Sequence, residues 1–314
     1  MKISSVALAS CIGALWAAVP VAADFAYGLP WAADNRWAGS MTDKTVSWYH
    51  HWQDGKVSTI NKNVEFVPMY WGPKKKSHWN HRKIDILKHS PNHILAFNEP
   101  DIETQAGMTP KEAADEFMKE LQPFAEKGIN VSTPQMVYDI GWLESFMKHC
   151  KSKGCKISFV ALHWYGGHQD LDAFTHWIET VHNKFNLPIW VTEFGLTSAS
   201  NPSEHQVKKF MQKAIDWMSS KDYVERAAWN GCYDVNDPPD GFATPLNAFF
   251  STGGSLRDLA HTWLAGKGNK RIPSNNNDDE DDSSDDDSKD SDNGKGKRQL
   301  AHAVMQKRRN NVWN

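Results

Sequence analysis

The chain has 314 residues, with 35 basic and 38 acidic side chains and a formal charge of −3. That balance lacks the basic footprint that nucleic-acid binding requires, and the scattered histidines form no short chelating pair of the HExxH kind, so no metal site is predicted. Beyond the N-terminus no segment approaches the roughly 20 apolar residues of a membrane span.

The N-terminus carries Lys2, an apolar stretch over 6–21 containing Pro20, and the small residues Ala22 and Ala23. This is the pattern of a signal peptide over 1–23, which implies a soluble, exported protein starting at residue 24. Cys11 would leave with that peptide, so Cys150, Cys155 and Cys232 face an oxidising compartment. The sequence-local pair is Cys150 with Cys155, closing a small turn after a helix and leaving Cys232 as a buried thiol; three reduced core cysteines are the alternative.

Eight short β-branched or aromatic runs follow, at 25–31, 46–51, 64–71, 93–98, 129–135, 157–165, 189–194 and 226–232. Longer amphipathic stretches separate most of them, the signature of a parallel sheet with crossover helices. The clearest predicted helix is 109–127, where Thr109, Pro110 and Glu112 form a capped start and Gly128 a stop. Others are 140–149, 171–185, 203–219 and 255–264. The spacing between the first three strands is short, so early helices are reduced or missing. About 250 residues, 24–271, suit one (β/α)8 TIM barrel, and no glycine-rich phosphate loop supports an open doubly wound sheet. Asn130-Val131-Ser132 is a glycosylation sequon at a predicted strand start and is expected to be inaccessible.

After Pro273 the composition changes. Residues 274–293 hold ten acidic residues, one lysine and no apolar one, so they cannot bury surface to offset ordering entropy. A disordered tail over 272–314 is expected, ending in Lys297-Arg298 and Lys307-Arg308-Arg309, which are either protease sites or solvated basic clusters. All 15 tryptophans except Trp16 and Trp313 lie between residues 24 and 271. Most serve the core, but flat indoles also stack on pyranose rings.

The strand ends carry the chemistry. Asn98-Glu99-Pro100-Asp101 closes the fourth, His163-Trp164-Tyr165 the sixth, Thr192-Glu193-Phe194-Gly195 the seventh and Trp229-Asn230 the eighth. In a barrel these ends share the C-terminal face, where barrel enzymes place their sites. Glu99 and Glu193 each follow an apolar run. Two carboxylates across one mouth suit glycosidic cleavage, with one proton donor and one nucleophile, and a separation of roughly 5 Å gives retention. Apolar neighbours and the charge of Glu193 should keep Glu99 protonated, and His163 or Tyr165 either holds Glu193 ionised or meets substrate hydroxyls. Tyr70, Trp71 and Trp164 are candidate sugar subsites with packing as the alternative. Asp101 caps the loop after Pro100, and His50 and His51 stay unassigned.

With both glutamate motifs, the intervening His163-Trp164-Tyr165 and Trp229 on the last strand, the chain resembles glycoside hydrolase family 128, the Asl1-like glycosyl hydrolases of the barrel glycosidase clan A. The resemblance spans most of residues 24–265. It implies an acid/base at Glu99, a nucleophile at Glu193 and activity on β-1,3-glucan, as in fungal wall remodelling or degradation; with the signal peptide, a secreted, monomeric endo-acting enzyme that needs no cofactor is the leading expectation. It also implies that Asn98 bonds the sugar 2-hydroxyl and that Trp229 forms a platform beneath the ring. Competing readings are a clan A hydrolase of another β-glucan or mannan, a glucan-binding protein without turnover, and a barrel carrying a functional acidic tail.

Overall fold

The computed structural model describes residues 25–41, 45–52 and 55–266. The expected signal peptide with Cys11, the acidic stretch and the basic clusters lie outside the described residues. Within them the chain forms an α/β fold whose main sheet has six parallel strands. These are β1 (Ala26–Pro30), β2 (Val46–His50), β3 (Glu65–Phe66), β6 (Val160–Gly166), β7 (Ile189–Leu196) and β8 (Val224–Trp229), in the order β3-β2-β1-β8-β7-β6. A second parallel pair joins β4 (His93–Ile94) to β5 (Asn130–Val131).

Strands β3, β4 and β5 are two residues each, much shorter than their apolar runs. Pro68 and Pro134 fall inside two of these runs and remove ladder donors. Side chains take over instead: Ser132 Oγ accepts from the Ala96 N–H at 2.9 Å and Thr133 Oγ1 from the Ala161 N–H at 3.1 Å. Isolated parallel bridges extend the pairing, Met69 with Leu95, Asn98 with Gln135, Ser132 with Phe159 and Met136 with Leu162. They link β3 to β4, β4 to β5 and β5 to β6, so parallel connections run through all eight strands. Across the interior Arg226 of β8 donates to Glu65 of β3 at 2.7 Å, and Glu65 also meets His93 of β4 at 2.7 Å. The Arg226 guanidinium lies 4.0 Å above Trp190 of β7.

Helices α2 (Pro110–Glu120), α4 (Ile140–Lys153), α5 (Leu171–Phe185), α6 (Glu204–Met218) and α7 (Asp258–Ala265) follow the expected segments. Thr109 and Glu112 form a reciprocal capping box, and the last turn of the predicted 109–127 helix is split off as α3 (Gln122–Ala125). Helix α1 (Lys76–His89) was not expected. It has no side-chain N-cap and buries only Trp79, Arg82 and Ile86, too narrow an apolar stripe to stand out in so polar a segment. Between β1 and β2 there is a 3-10 segment, Asn35–Met41, and between β2 and β3 no helix among the described residues.

Cys150 and Cys155 are disulfide-bonded with Cα atoms 5.0 Å apart, and Cys232 is a buried free thiol. Asn130 is exposed, contrary to the expectation of an inaccessible sequon, because it begins β5 at the rim. Among the described residues no helix is long and apolar enough to cross a membrane.

Candidate active site

Glu99 ends the β4 run in an unusual backbone state. Its φ of 42° lies in the left-handed region, which costs an L-residue about 1–2 kcal/mol. Two bonds hold it there: its N–H donates to the Gln135 carbonyl at 3.0 Å and its carbonyl accepts from Ile102 at 3.1 Å. The turn aims the carboxylate inward, where it meets His163 Nδ1 at 2.9 Å.

Glu193, on β7, faces the same point. Oε1 accepts from Trp52 Nε1 at 2.7 Å and Oε2 from the Tyr165 hydroxyl at 2.9 Å. His163 Nε2 lies 3.4 Å from Glu193 Oε1 and 3.4 Å from Gln135 Oε1. One donor atom each from Glu99, His163 and Glu193 falls within 4.8 Å of the others. The two carboxylates therefore face one another across a single short gap. The same three atoms are close enough to hold a metal ion, a grouping that spans three strands and so has no local sequence pattern.

Burial is the largest influence on Glu193 and pushes its carboxyl above the usual range. The His163 charge opposes this, Glu99 adds to it, and the Tyr165 and Trp52 hydrogen bonds oppose it. The donors expected to hold Glu193 ionised are thus present but do not cancel its desolvation. Asp101 rises to about 7 through burial and the charge of Glu99; its Oδ1 is buried without a partner. His50, fully buried, donates from Nε2 to the Thr192 carbonyl at 2.9 Å, and burial lowers its pKa to about 3. It is a neutral brace for the backbone just before Glu193.

A cleft of about 410 Å³ opens over the two glutamates, lined among others by Trp31, Trp52, Trp71, Asn98, Gln105 and Asn230. Asn98 donates to Gln105 at 3.2 Å, and its Oδ1 is buried without a partner. Of the expected sugar contacts, Asn98, Trp71 and Tyr165 line this cleft. His163 does not: it is fully buried beneath the glutamates.

Three aromatic expectations are corrected. Trp229 is 0% exposed, donates to the Asn247 carbonyl at 3.0 Å and packs edge-on against Phe194. It is a core indole, and the cleft is met by its neighbour Asn230. Tyr70 is also fully buried, stacked on Trp79 with its hydroxyl on Glu116. Trp164 lies parallel to Phe210 with ring centroids 5.2 Å apart, away from the cleft. Trp52 and Gln135 were missed, although Trp52 directly follows the paired His50-His51 at a strand end, and Asn230 was noted at its strand end without a role.

Comparison with known proteins places these observations in a family. A family model described as glycosyl hydrolase catalytic core matches residues 25–263. Alkali-sensitive linkage protein 1 of Schizosaccharomyces pombe is 27% identical over 254 residues, 76% of this chain and 44% of that protein. The chain thus spans less than half the length of that relative. Among solved structures, a curdlan-specific exo-β-1,3-glucanase of family 128 from Blastomyces gilchristii is 26% identical at a TM-score of 0.64, covering 76% of this chain and 97% of that one. An endo-β-1,3-glucanase of family 128 from Amycolatopsis mediterranei, bound to laminaripentaose, is 26% identical with a TM-score of 0.64, over 77% of this chain and 99% of that one.

Proposed function

Since this chain belongs to the glycosyl hydrolase catalytic core family, glycoside hydrolase family 128, we propose that it cleaves β-1,3-glucan with retention, by double displacement through Glu193 and Glu99. The observation carrying this reading is the closeness of the two carboxylates, one oxygen of each lying within 4.8 Å of the other. Retaining pairs stand about 5–5.5 Å apart, whereas inverting pairs need roughly 6.5–9.5 Å to admit a water.

In the first step Glu193 attacks the anomeric carbon as Glu99 passes its proton to the departing glycosidic oxygen. A covalent glycosyl-enzyme forms and the aglycone leaves as an alcohol. In the second step Glu99, now a carboxylate, takes a proton from water, which displaces Glu193 and releases the sugar with its original configuration. Trp52 and Tyr165 donate to Glu193 throughout, so the leaving carboxylate of the second step is received by preset donors. Asn98 Oδ1 is available to the 2-hydroxyl, and Trp71 and Trp31 offer apolar walls for neighbouring units. This chemistry balances with protein carboxylates alone and calls for no cofactor.

The substrate class rests on the family 128 relatives, which are β-1,3-glucanases of both endo and exo types. Cleavage falls within the glucan chain. The continuous set of parallel connections, together with Glu65 bridging β3, β4 and β8, supports a closed (β/α)8 barrel with shortened early helices. The N-terminal sequence supports export, which predicts a mature protein beginning near residue 24, and the composition of 272–314 supports an acidic tail outside the monomeric catalytic unit.

Incubation with curdlan, laminarin, a β-1,4-glucan and a β-mannan tests the whole reading. Hydrolysis of the first two, β-anomeric products in early NMR spectra and a spread of oligosaccharide sizes are expected. Activity confined to the β-1,4-linked polymers, or α-anomeric first products, would replace it.

A further inference from the structure

We propose that Asn230 reads one hydroxyl of the glycosyl unit attacked by Glu193, and that its other end braces the Tyr165 hydroxyl against that nucleophile. The inference rests on the retaining reading above and adds a specificity and positioning residue to it.

Asn230 follows the last residue of β8, and its N–H donates to the Phe194 carbonyl at 2.8 Å, one residue beyond Glu193. The residue is 8% exposed and lines the cleft. Its amide orientation follows from the network. The Tyr165 hydroxyl donates its only proton to Glu193 Oε2, so it accepts from whatever stands on its other side. Asn230 Nδ2 is that donor, since an amide carbonyl has no proton to give. Oδ1 must then point away from Tyr165, and among the described residues it has no hydrogen-bond partner.

A buried carbonyl without a donor is costly, and a ligand that supplies one recovers that cost. The cleft offers two such acceptors, Asn98 Oδ1 beside Glu99 and Asn230 Oδ1 beside Glu193. Sugar hydroxyls are donors of the right kind. Because Asn230 reaches Glu193 through a single intervening hydroxyl, the unit it reads is the one whose anomeric carbon meets Glu193. Once that sugar hydroxyl is engaged, the amide is held at both ends and the Tyr165 hydrogen bond tightens with it, coupling recognition to the nucleophile. Trp229, buried behind, supplies no such reading.

The test uses a nitrophenyl β-laminarioligoside and analogues in which each free hydroxyl of the unit joined to nitrophenol is replaced by hydrogen. In the parent, loss of one hydroxyl other than the 2-hydroxyl lowers kcat/KM by about 10–100-fold. In Asn230→Ala that same deletion costs less than about threefold, because the acceptor is gone. Asn230→Asp keeps an acceptor, so sensitivity to the deletion remains. The brace is read in the uncharged Asn230→Ala and Asn230→Leu, which cannot donate to Tyr165, so their acid limbs move up. Circular dichroism and melting identify any variant that fails to fold, and the remaining uncharged variant then carries the pH arm. Full parental sensitivity to every deletion in Asn230→Ala, or an unmoved acid limb in the folded uncharged variants, overturns the proposal. An inactive parent sinks the hydrolase reading itself, an outcome distinct from an active parent indifferent to Asn230.

Discussion

His163 Nδ1 stands 2.9 Å from Glu99 Oε1, and the tautomer of the ring decides what lies between them. Gln135 donates from Nε2 to the Ala96 carbonyl at 3.0 Å, which turns its Oε1 towards Thr192 and His163. His163 Nε2 thus faces two acceptors, Gln135 Oε1 and Glu193 Oε1, and must carry a proton. A neutral ring then accepts at Nδ1 from a protonated Glu99, and an imidazolium donates to an ionised Glu99. Either way one proton sits between the two groups, at the place from which the leaving oxygen is protonated. His163→Ala is expected to lower kcat on unactivated glucan by about 100-fold, with a much smaller loss on an aryl glycoside whose leaving group needs little protonation. Equal losses on both substrates would show that His163 does not act through this proton.

The two glutamates are expected to fail differently. Glu193→Gln removes the nucleophile and leaves no turnover on any substrate. Glu99→Gln removes proton transfer, so glucan hydrolysis falls by about 10²–10⁴-fold while a dinitrophenyl glycoside still releases its phenol in a burst. Near-parental rates in both variants would dismantle the assignment.

Tyr165→Phe deletes one of the hydrogen bonds that oppose the upward push of burial on Glu193. The nucleophile must be ionised, so activity is lost as pH falls through its pKa. Removing a donor to the charged form raises that pKa further. The acid limb of kcat/KM is therefore expected to move to higher pH in Tyr165→Phe, and a shift to lower pH contradicts the argument.

Asp101 bears on stability. Its folded pKa is raised to about 7 from 3.8, so between those values the native state holds a proton the unfolded chain has released, and stability falls as pH rises through the window. The full effect is on the order of 4 kcal/mol above pH 7. Asp101→Asn removes the ionisation without changing shape. Thermal melts are expected to show the variant more stable than the parent at pH 9 and indistinguishable from it at pH 4.

Trp229 offers a test of core against cleft. Truncation to Ala empties a fully buried site and should cost about 3–5 kcal/mol, seen as a lower urea midpoint, while KM for oligosaccharides stays within about threefold. A large rise in KM with unchanged stability would restore the platform.

Much of the molecule was legible from local pattern. Capping signals gave the start of α2, hydrophobic periodicity gave α4 to α6, and the five-residue spacing of Cys150 and Cys155 gave the disulfide. Glu99 and Glu193 stood out because a carboxylate ending a buried strand needs a reason to be there. All of this depends on interactions within a few residues of chain, which a sequence displays directly.

Partnership across the fold was not so displayed. Trp52 reaches Glu193 over 141 positions and Glu99 meets His163 over 64, distances at which no periodicity speaks. Tyr70, Trp164 and Trp229 share the composition and strand-end setting of Trp71, yet they pack inside while Trp71 lines the cleft. Which face of a strand end points inward is settled by how strands tilt and which helix covers them, so aromatic type alone predicts burial and cleft equally well. Local pattern singled out the two glutamates and the order of elements, because these are properties of short segments. The donors to Glu193, the contact of Glu99 with His163 and the appearance of Asn230 rather than Trp229 at the cleft emerge from the folded chain, because each arises where separate strands converge.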